Sequence, residues 1–191
     1  MKSLKLIGLA LLAIMVGFVA TSCGDDKEKD EPSAKTKPSL GLIYGFGEDF
    51  FNCFDIEIHY TDASGATKTE KITKTNCTKE TISGQELYFY DKLIEYTKYP
   101  MDNVSYGVVL TYKETPDVVK DKYDMTYGYY RTTIDAGQSY DKAASKSKTA
   151  VFPNTGMKAE YIQTFGNKLN SNISFKGKTY KITSSGKFEE Q

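Results

Sequence analysis

The stretch Phe54-Asp55-Ile56-Glu57-Ile58-His59-Tyr60 decides the fold. Apolar residues occupy every second position, and polar residues occupy the positions between them. Because successive strand side chains point to opposite faces, this alternation predicts a half-buried β-strand. The turn Asp62-Ala63-Ser64-Gly65 follows, and Thr67 to Thr75 runs back as a more polar strand. A three-residue loop with its glycine in the left-handed conformation predicts a hairpin in which Asp62 pairs with Ala66.

Further strands are predicted on both sides of this hairpin. They alternate in the same way and lie at Leu40 onward, Gln85 to Tyr90, Val104 to Tyr112 and Tyr123 to Arg131. Asp91 to Tyr99, before Pro100, is interpreted as a helical turn, and Ile173 to Thr183 as a terminal hairpin turning at Lys176-Gly177. Met157 to Leu169 carries apolar residues every four positions but also alternates, which leaves helix and strand open.

This pattern predicts an all-β fold. Seven to nine short strands with turn signals about every ten residues are typical of an antiparallel β-sandwich. An immunoglobulin-like arrangement is the first choice, and a small barrel or an α+β fold is the alternative. Fifteen tyrosines and an aromatic content of 13% also favour β structure over disorder.

The N-terminus has the features of an export signal. Lys2 and Lys5 precede Leu6 to Ala20, which is apolar apart from two glycines. As a helix, these residues would extend about 22 Å, at roughly 1.5 Å per residue. That is short of the roughly 30 Å of a bilayer's hydrocarbon core. A short apolar run after a basic start predicts a signal peptide rather than a membrane-spanning helix.

The end of this run carries the one family resemblance in the chain. Ala20-Thr21-Ser22-Cys23 resembles the lipobox of bacterial lipoproteins in the permissive form used by Bacteroidota. The acidic stretch from Asp25 to Glu31 resembles the signal that places such lipoproteins on the cell surface. The resemblance implies cleavage before Cys23, acylation of Cys23, and a lipid anchor in the outer membrane with the protein facing the exterior. Two or more acyl chains hold a protein stably at a membrane.

Three segments follow from this interpretation. Residues 1–22 are the signal peptide, and residues 23–38 are the lipidated cysteine with a charged tether. Residues 39–191 form a single domain, since their number is ordinary for one domain. The tether contains Pro32 and Pro38 and no apolar period, so it is predicted to be disordered.

Composition argues against nucleic-acid binding. Removal of residues 1–22 would take away Lys2 and Lys5, which leaves 23 basic and 25 acidic residues. Arg131 is the only arginine in the chain. Nucleic-acid binding ordinarily needs a basic face and favours arginine, so no nucleic-acid partner is expected.

Cys53 and Cys77 are candidates for a disulfide. Paired cysteines in an exported domain commonly form one. The predicted hairpin places Cys53 opposite Thr75 and Cys77 two residues further along on the same face. Such diagonal neighbours are about 7–8 Å apart, slightly beyond the usual reach of a disulfide. A bulge would bring the two cysteines opposite each other, so a bridge and two separate thiols both remain open.

The polar face of the strand around Phe54 to Tyr60 offers little chemistry. Cys53, Asp55, Glu57 and His59 are all of metal-binding types, but residues two apart on a strand are separated by about 6.6 Å. Zinc ligands must lie within about 2.3 Å of one ion. No metal and no cofactor is therefore expected. His59 is the only histidine, and no Gly-x-Ser-x-Gly motif is present, so no catalytic residues are assigned.

Tyrosines provide the candidate binding residues. Tyr123, Tyr127, Tyr129 and Tyr130 cluster in one predicted strand. Tyrosine has a broad apolar face and a polar tip, which suit both sugar stacking and protein contact. The alternative is that they are ordinary strand residues on a sheet with one solvated face. Because Tyr129 and Tyr130 point to opposite faces, at least one ring is expected to be exposed.

Three functions remain as hypotheses. The first is an outer-membrane-anchored lipoprotein with a non-enzymatic module that binds a protein or glycan. The second is a hydrolase acting on envelope or host polymers, which a cleft containing His59 would favour. The third is a structural or accessory subunit of an outer-membrane assembly.

Overall fold

The computed structural model describes residues 36–82, 84–138 and 150–191. These residues form the antiparallel β-sandwich that the sequence predicts, with two five-stranded sheets. The predicted signal peptide, Cys23 and most of the predicted tether lie outside the described residues. None of the described helices is long and apolar enough to cross a membrane.

Twelve strands and three helices make up the described domain. They are β1 (Ser39–Phe46), α1 (Glu48–Cys53), β2 (Phe54–Thr61), β3 (Thr67–Ile72), β4 (Thr78–Ile82), β5 (Gln85–Glu95), β6 (Met101–Tyr112), β7 (Lys122–Tyr123), β8 (Tyr127–Ile134), β9 (Ala150–Phe152), β10 (Met157–Lys158), α2 (Ile162–Ser171), α3 (Ile173–Lys176), β11 (Thr179–Ile182) and β12 (Phe188–Glu190).

The two large sheets have the orders β4-β5-β1-β8-β9 and β12-β11-β6-β2-β3, and β7 pairs separately with β10. Within the described part of the chain no strand pair joins the two large sheets, so they form an open sandwich rather than a barrel. The first strand lies in the middle of its sheet. In the immunoglobulin order, by contrast, the first strand lies at an edge.

The predicted β2–β3 hairpin is confirmed, including its register. Ile56 lies opposite Ile72, and the amide of Asp62 donates to the carbonyl oxygen of Ala66 over 2.8 Å. Gly65 has φ +87°, the left-handed conformation that the loop requires. The four apolar side chains of β2 are buried, as the alternation predicts.

The core lies between the inner faces of the two sheets. Alternate residues of β1, including Tyr44 and Phe46, meet the apolar faces of β2 and β6. Phe175 of α3 enters this core, with its ring centroid 6.1 Å from that of Tyr44 and 6.2 Å from that of Phe46. The short helix α3 therefore fills one side of the sandwich with an aromatic ring.

Two local predictions are wrong. Residues 91–95 continue β5 instead of turning, because they pair with β1 from Ile43 to Ser39. Ile173–Lys176 is a helical turn rather than a strand, because the side chain of Asn172 accepts a hydrogen bond from the Ser174 amide and caps it. The terminal hairpin is instead formed by β11 and β12. The open choice for residues 157–169 is resolved mainly as helix α2.

Candidate functional site

Strand β8 supplies the centre of the candidate site. Tyr127 and Tyr129 lie opposite Phe46 and Tyr44 in the register with β1. They and Arg131 therefore point between the sheets, while Tyr130 points to the other face of the first sheet. Strand β9 adds Phe152 directly opposite Tyr127.

Six side chains stack in a row across one open side of the sandwich, from the first sheet to the second. We call this row the aromatic ladder; its members are Tyr127, Phe152, Tyr129, Arg131, Tyr106 and Tyr180. The centroid of the Phe152 ring lies 5.0 Å from that of Tyr127 and 5.8 Å from that of Tyr129. The ring planes are inclined by only 21° and 16°, so the three rings are stacked.

Arg131 connects the two halves of the ladder. Its guanidinium carbon lies 5.0 Å from the Tyr129 ring centroid and 5.7 Å from that of Tyr106, which stacks on Tyr180 at 6.2 Å. One nitrogen, Nη1, donates to the Tyr106 hydroxyl over 3.1 Å and to the Ile173 carbonyl over 3.2 Å. Cation–π contacts on both sides and these two hydrogen bonds hold the guanidinium in place.

Other aromatic rings close both ends of the ladder. Tyr127 meets Phe175 at 5.4 Å and 71°, and Tyr180 meets Phe188 at 5.8 Å and 86°. Within the ladder, Phe152 stacks on both Tyr127 and Tyr129. Phe152 is the member with the most exposed side chain, at 37%, whereas Tyr106 is buried at 4%. The ladder is a rigid aromatic strip with a polar and cationic centre.

The candidate tyrosines separate into two groups. Tyr127 and Tyr129 are half-buried in the ladder, whereas Tyr123 and Tyr130 are each only 2% exposed. The Tyr123 hydroxyl accepts a hydrogen bond from the Lys120 amide over 3.0 Å and so fixes a loop. Tyr130 packs against Ile43, Leu87 and Phe89. These two buried rings are not available to a ligand.

Sequence reasoning did not find the remaining ladder members. Phe152, Tyr106 and Tyr180 come from three other strands, and their meeting depends on the strand order. A usable signal was present for Arg131, because it is the only arginine and shares the alternation of Tyr127 and Tyr129. Burial raises the pKa values of Tyr127 and Tyr106, so both hydroxyls are neutral near pH 7.

On the opposite side of the sandwich, a carboxylate links the two sheets. Glu70 of β3 accepts hydrogen bonds from the hydroxyls of Tyr60 and Tyr90 and from Lys92 Nζ; we call these four residues the Glu70 clasp. The Tyr90 and Lys92 contacts each measure 2.6 Å. Burial would raise the pKa of Glu70, but the hydrogen bonds from Lys92, Tyr60 and Tyr90 outweigh it and lower the pKa to about 2.

A cleft that has the ladder residue Tyr106 in its lining contains His59. It has a volume of about 520 Å³ and is lined by Ser105, Lys176 and Glu190 among others. His59 Nδ1 is hydrogen-bonded to Thr69 at 2.8 Å. The Ser105 hydroxyl lies 3.4 Å from that of Thr61. Glu190 accepts from Lys178 at 2.5 Å. Each group is thus engaged elsewhere, and the serine, histidine and carboxylate do not form a hydrogen-bonded chain.

Cys53 and Cys77 are free thiols in the structure. Cys53 ends α1 rather than extending β2, and a 3-10 turn at Lys74–Asn76 leads Cys77 away from β3 towards β4. The predicted diagonal placement on one hairpin therefore does not occur, and the candidate disulfide is not formed. Burial raises the pKa of both thiols to about 12.

Helix α1 also removes Cys53 from the strand row that held Asp55, Glu57 and His59. Among the described residues, no group of three or more histidine, cysteine or acidic side chains could hold a metal ion.

The chain matches no protein-family model, no curated protein and no solved structure.

Proposed function

We propose that this chain is a lipoprotein anchored in the outer membrane through Cys23, with a non-enzymatic binding module facing the cell exterior. The signal-like N-terminus and the lipobox resemblance support the anchor. The aromatic ladder is the binding surface in this proposal. The ligand is a protein or a glycan, consistent with a near-neutral chain that has one arginine.

The ladder is the observation that carries the proposal. Tyrosine and arginine are enriched where proteins bind partners, because they combine a large apolar area with polar contacts. Stacking on both sides already restricts the rotamers of Phe152, Tyr129 and Arg131. A surface that is ordered before binding loses less conformational entropy when a ligand arrives.

Binding by the lipidated protein in detergent micelles tests the proposal. Arrays of polysaccharides and peptides provide the ligands, and Tyr129→Ala and Phe152→Ala provide the ladder variants. Val119→Ala is the matched control, since Val119 is an exposed hydrophobic residue, 78% accessible, in the loop between β6 and β7. We expect a ligand whose binding is lost in both ladder variants and kept in the control. Binding that is equal in all four proteins would contradict the proposal.

The anchor is tested separately. Cys23→Ala should abolish acylation, and mass spectrometry of the wild-type N-terminus should show the lipid on Cys23. A wild-type N-terminus without lipid would contradict the anchor while leaving the binding module untouched.

The hydrolase is the second candidate, and the His59 cleft is where it is tested. Wild-type protein and His59→Asn would be compared for release of sugars or peptides from envelope polymers. Release by the wild type that disappears in the variant would favour the hydrolase over the binding module. We expect no release from either protein, because His59 contacts Thr69 and not Ser105.

A further inference from the structure

Arg131 is a cation without a counter-ion among the described residues. No described carboxylate lies within the 4.0 Å of an ion pair, although Arg131 is half-buried. Guanidinium has five N–H donors, and the two bonds of Nη1 account for at most two of them. The donors on Nε and Nη2, which form the fork that suits a carboxylate, have no described partner.

The surroundings of the ladder are also basic. Residues 150–191 contain six lysines and three acidic residues, Glu160, Glu189 and Glu190, in a chain that is neutral overall. Glu160 lies 4.0 Å from Lys158, and Glu190, opposite Tyr180 in the β11–β12 pair, lies 2.5 Å from Lys178. Lys168 shares a face of α2 with Phe165, whose ring is 6.3 Å from that of Tyr127. The charge around the ladder is therefore complementary to an acidic partner.

Aromatic edges reinforce this preference. An aromatic ring is electronegative on its faces and electropositive along its edge. Phe152 is 37% exposed but stacks on Tyr127 and on Tyr129, so its faces are in contact with other rings of the ladder and its edge is the part left for a partner. Exposed edges attract carboxylate and carbonyl oxygens. Sugar stacking, by contrast, needs an open ring face, so the arrangement favours a polypeptide over a glycan.

We propose that the aromatic ladder binds an acidic polypeptide segment and that Arg131 pairs with one of its carboxylates through Nε and Nη2. Apolar side chains of the same segment pack along Phe152 and Tyr129. This inference rests on the proposed function and adds the class of partner to it.

Three probes distinguish the classes of partner. They are a fluorescein-labelled random copolymer of glutamate and tyrosine, labelled polygalacturonate as an acidic glycan, and a labelled neutral β-glucan. Fluorescence anisotropy with the lipidated protein in micelles gives each affinity. We expect the copolymer to bind most tightly, and its affinity to fall as salt screens the charges.

Variants of Arg131 test the contact itself. Arg131→Gln should weaken copolymer binding by at least about tenfold, since it leaves the partner's carboxylate without a cation. Arg131→Lys keeps the charge but not the fork, so an intermediate loss is expected. Lys68→Gln removes the same charge from β3 on the opposite side and should change the affinity less than about twofold. Circular dichroism would establish that each variant is folded.

The possible failures are distinguishable. Tighter ladder-dependent binding of either glycan would overturn the polypeptide assignment and keep the proposed function. Copolymer binding that is unchanged in Arg131→Gln would overturn the role of Arg131. Absence of any ladder-dependent binding, here and on the arrays, would overturn both proposals.

Discussion

The two open sides of the sandwich use similar side chains in different ways. On the β3 side, Lys92 lies 4.8 Å from the Tyr60 ring centroid and donates to Glu70 at 2.6 Å. On the β9 side, Arg131 lies 5.0 Å from the Tyr129 ring centroid and has no described carboxylate. Both sides combine tyrosines with a cation. Among the described residues, only the Glu70 clasp also contains a carboxylate that pairs with its cation.

Under our proposal, this difference separates a stabilising role within the protein from a binding role towards a partner. In the clasp, two hydroxyls and an ammonium group converge on one carboxylate, so its charged groups are paired within the protein. In the ladder, donors remain for a partner. We therefore expect the clasp to contribute mainly to stability and Arg131 mainly to binding.

The largest expected effect lies beneath the ladder, at Phe175. Phe175→Ala removes a fully buried ring that contacts Tyr44, Phe46 and Tyr127. We expect the free energy of unfolding to fall by about 3–5 kcal/mol in denaturant titrations. Ile173→Ala, in the same helix but 54% exposed, is the control and should cost less than about 1 kcal/mol. Equal losses of stability in the two variants would contradict the inference that the buried ring of Phe175 stabilises the core beneath the ladder.

Glu70→Gln should produce the next largest effect. Hydrogen bonds to charged groups contribute about 1.5–3 kcal/mol, but the Glu70 side chain is 37% exposed and solvent screens it. We expect a loss of about 1–2 kcal/mol in the free energy of unfolding, with copolymer binding unchanged. Arg131→Gln should show the reverse, with weak binding and a smaller loss of stability. If Glu70→Gln lost binding and Arg131→Gln lost mainly stability, the assignment of stability to the clasp and binding to the ladder would be contradicted.

The clasp also predicts a dependence on pH. Because folding lowers the pKa of Glu70 from 4.5 to about 2, the stabilisation is present above pH 4.5 and is lost as pH falls through about 2. The difference in stability between wild type and Glu70→Gln should shrink by about 1 kcal/mol between pH 6 and pH 2, after discounting for exposure. A difference that stays constant over this range would show that Glu70 is not held as a carboxylate.

The smallest effect is expected at Tyr130. Its buried hydroxyl has no hydrogen-bond partner among the described residues, whereas the Tyr90 hydroxyl donates to Glu70. Tyr130→Phe should therefore leave stability unchanged or raise it slightly, and Tyr90→Phe should lower it by about 1 kcal/mol. Thermal unfolding of the two variants side by side measures the contrast. A larger loss from Tyr130→Phe would show that its hydroxyl is paired after all.

Sequence patterns predicted the parts of the fold that depend on near neighbours. The alternation of β2 and the glycine at position 65 were sufficient for the hairpin and its register. Residues 91–95 and 173–176 could not be predicted in this way. Their conformations depend on pairing with β1 and on burial of Phe175 in the core.

The candidate site was predictable only in part for the same reason. Alternation places Tyr129 and Tyr130 on opposite faces, but it does not say which face is covered. The ladder needs Phe152, Tyr106 and Tyr180 from distant strands, and only the strand order brings these rings to Arg131.

The side-chain resonance of Arg131 provides the most direct test of the binding surface. Because the chain has one arginine, a ¹⁵N spectrum should contain a single arginine Nε–Hε signal. During titration with the glutamate–tyrosine copolymer, we expect this signal to move and to saturate at the affinity given by anisotropy. A signal that stays in place while the copolymer binds would contradict the account, because the contact would then lie elsewhere on the domain.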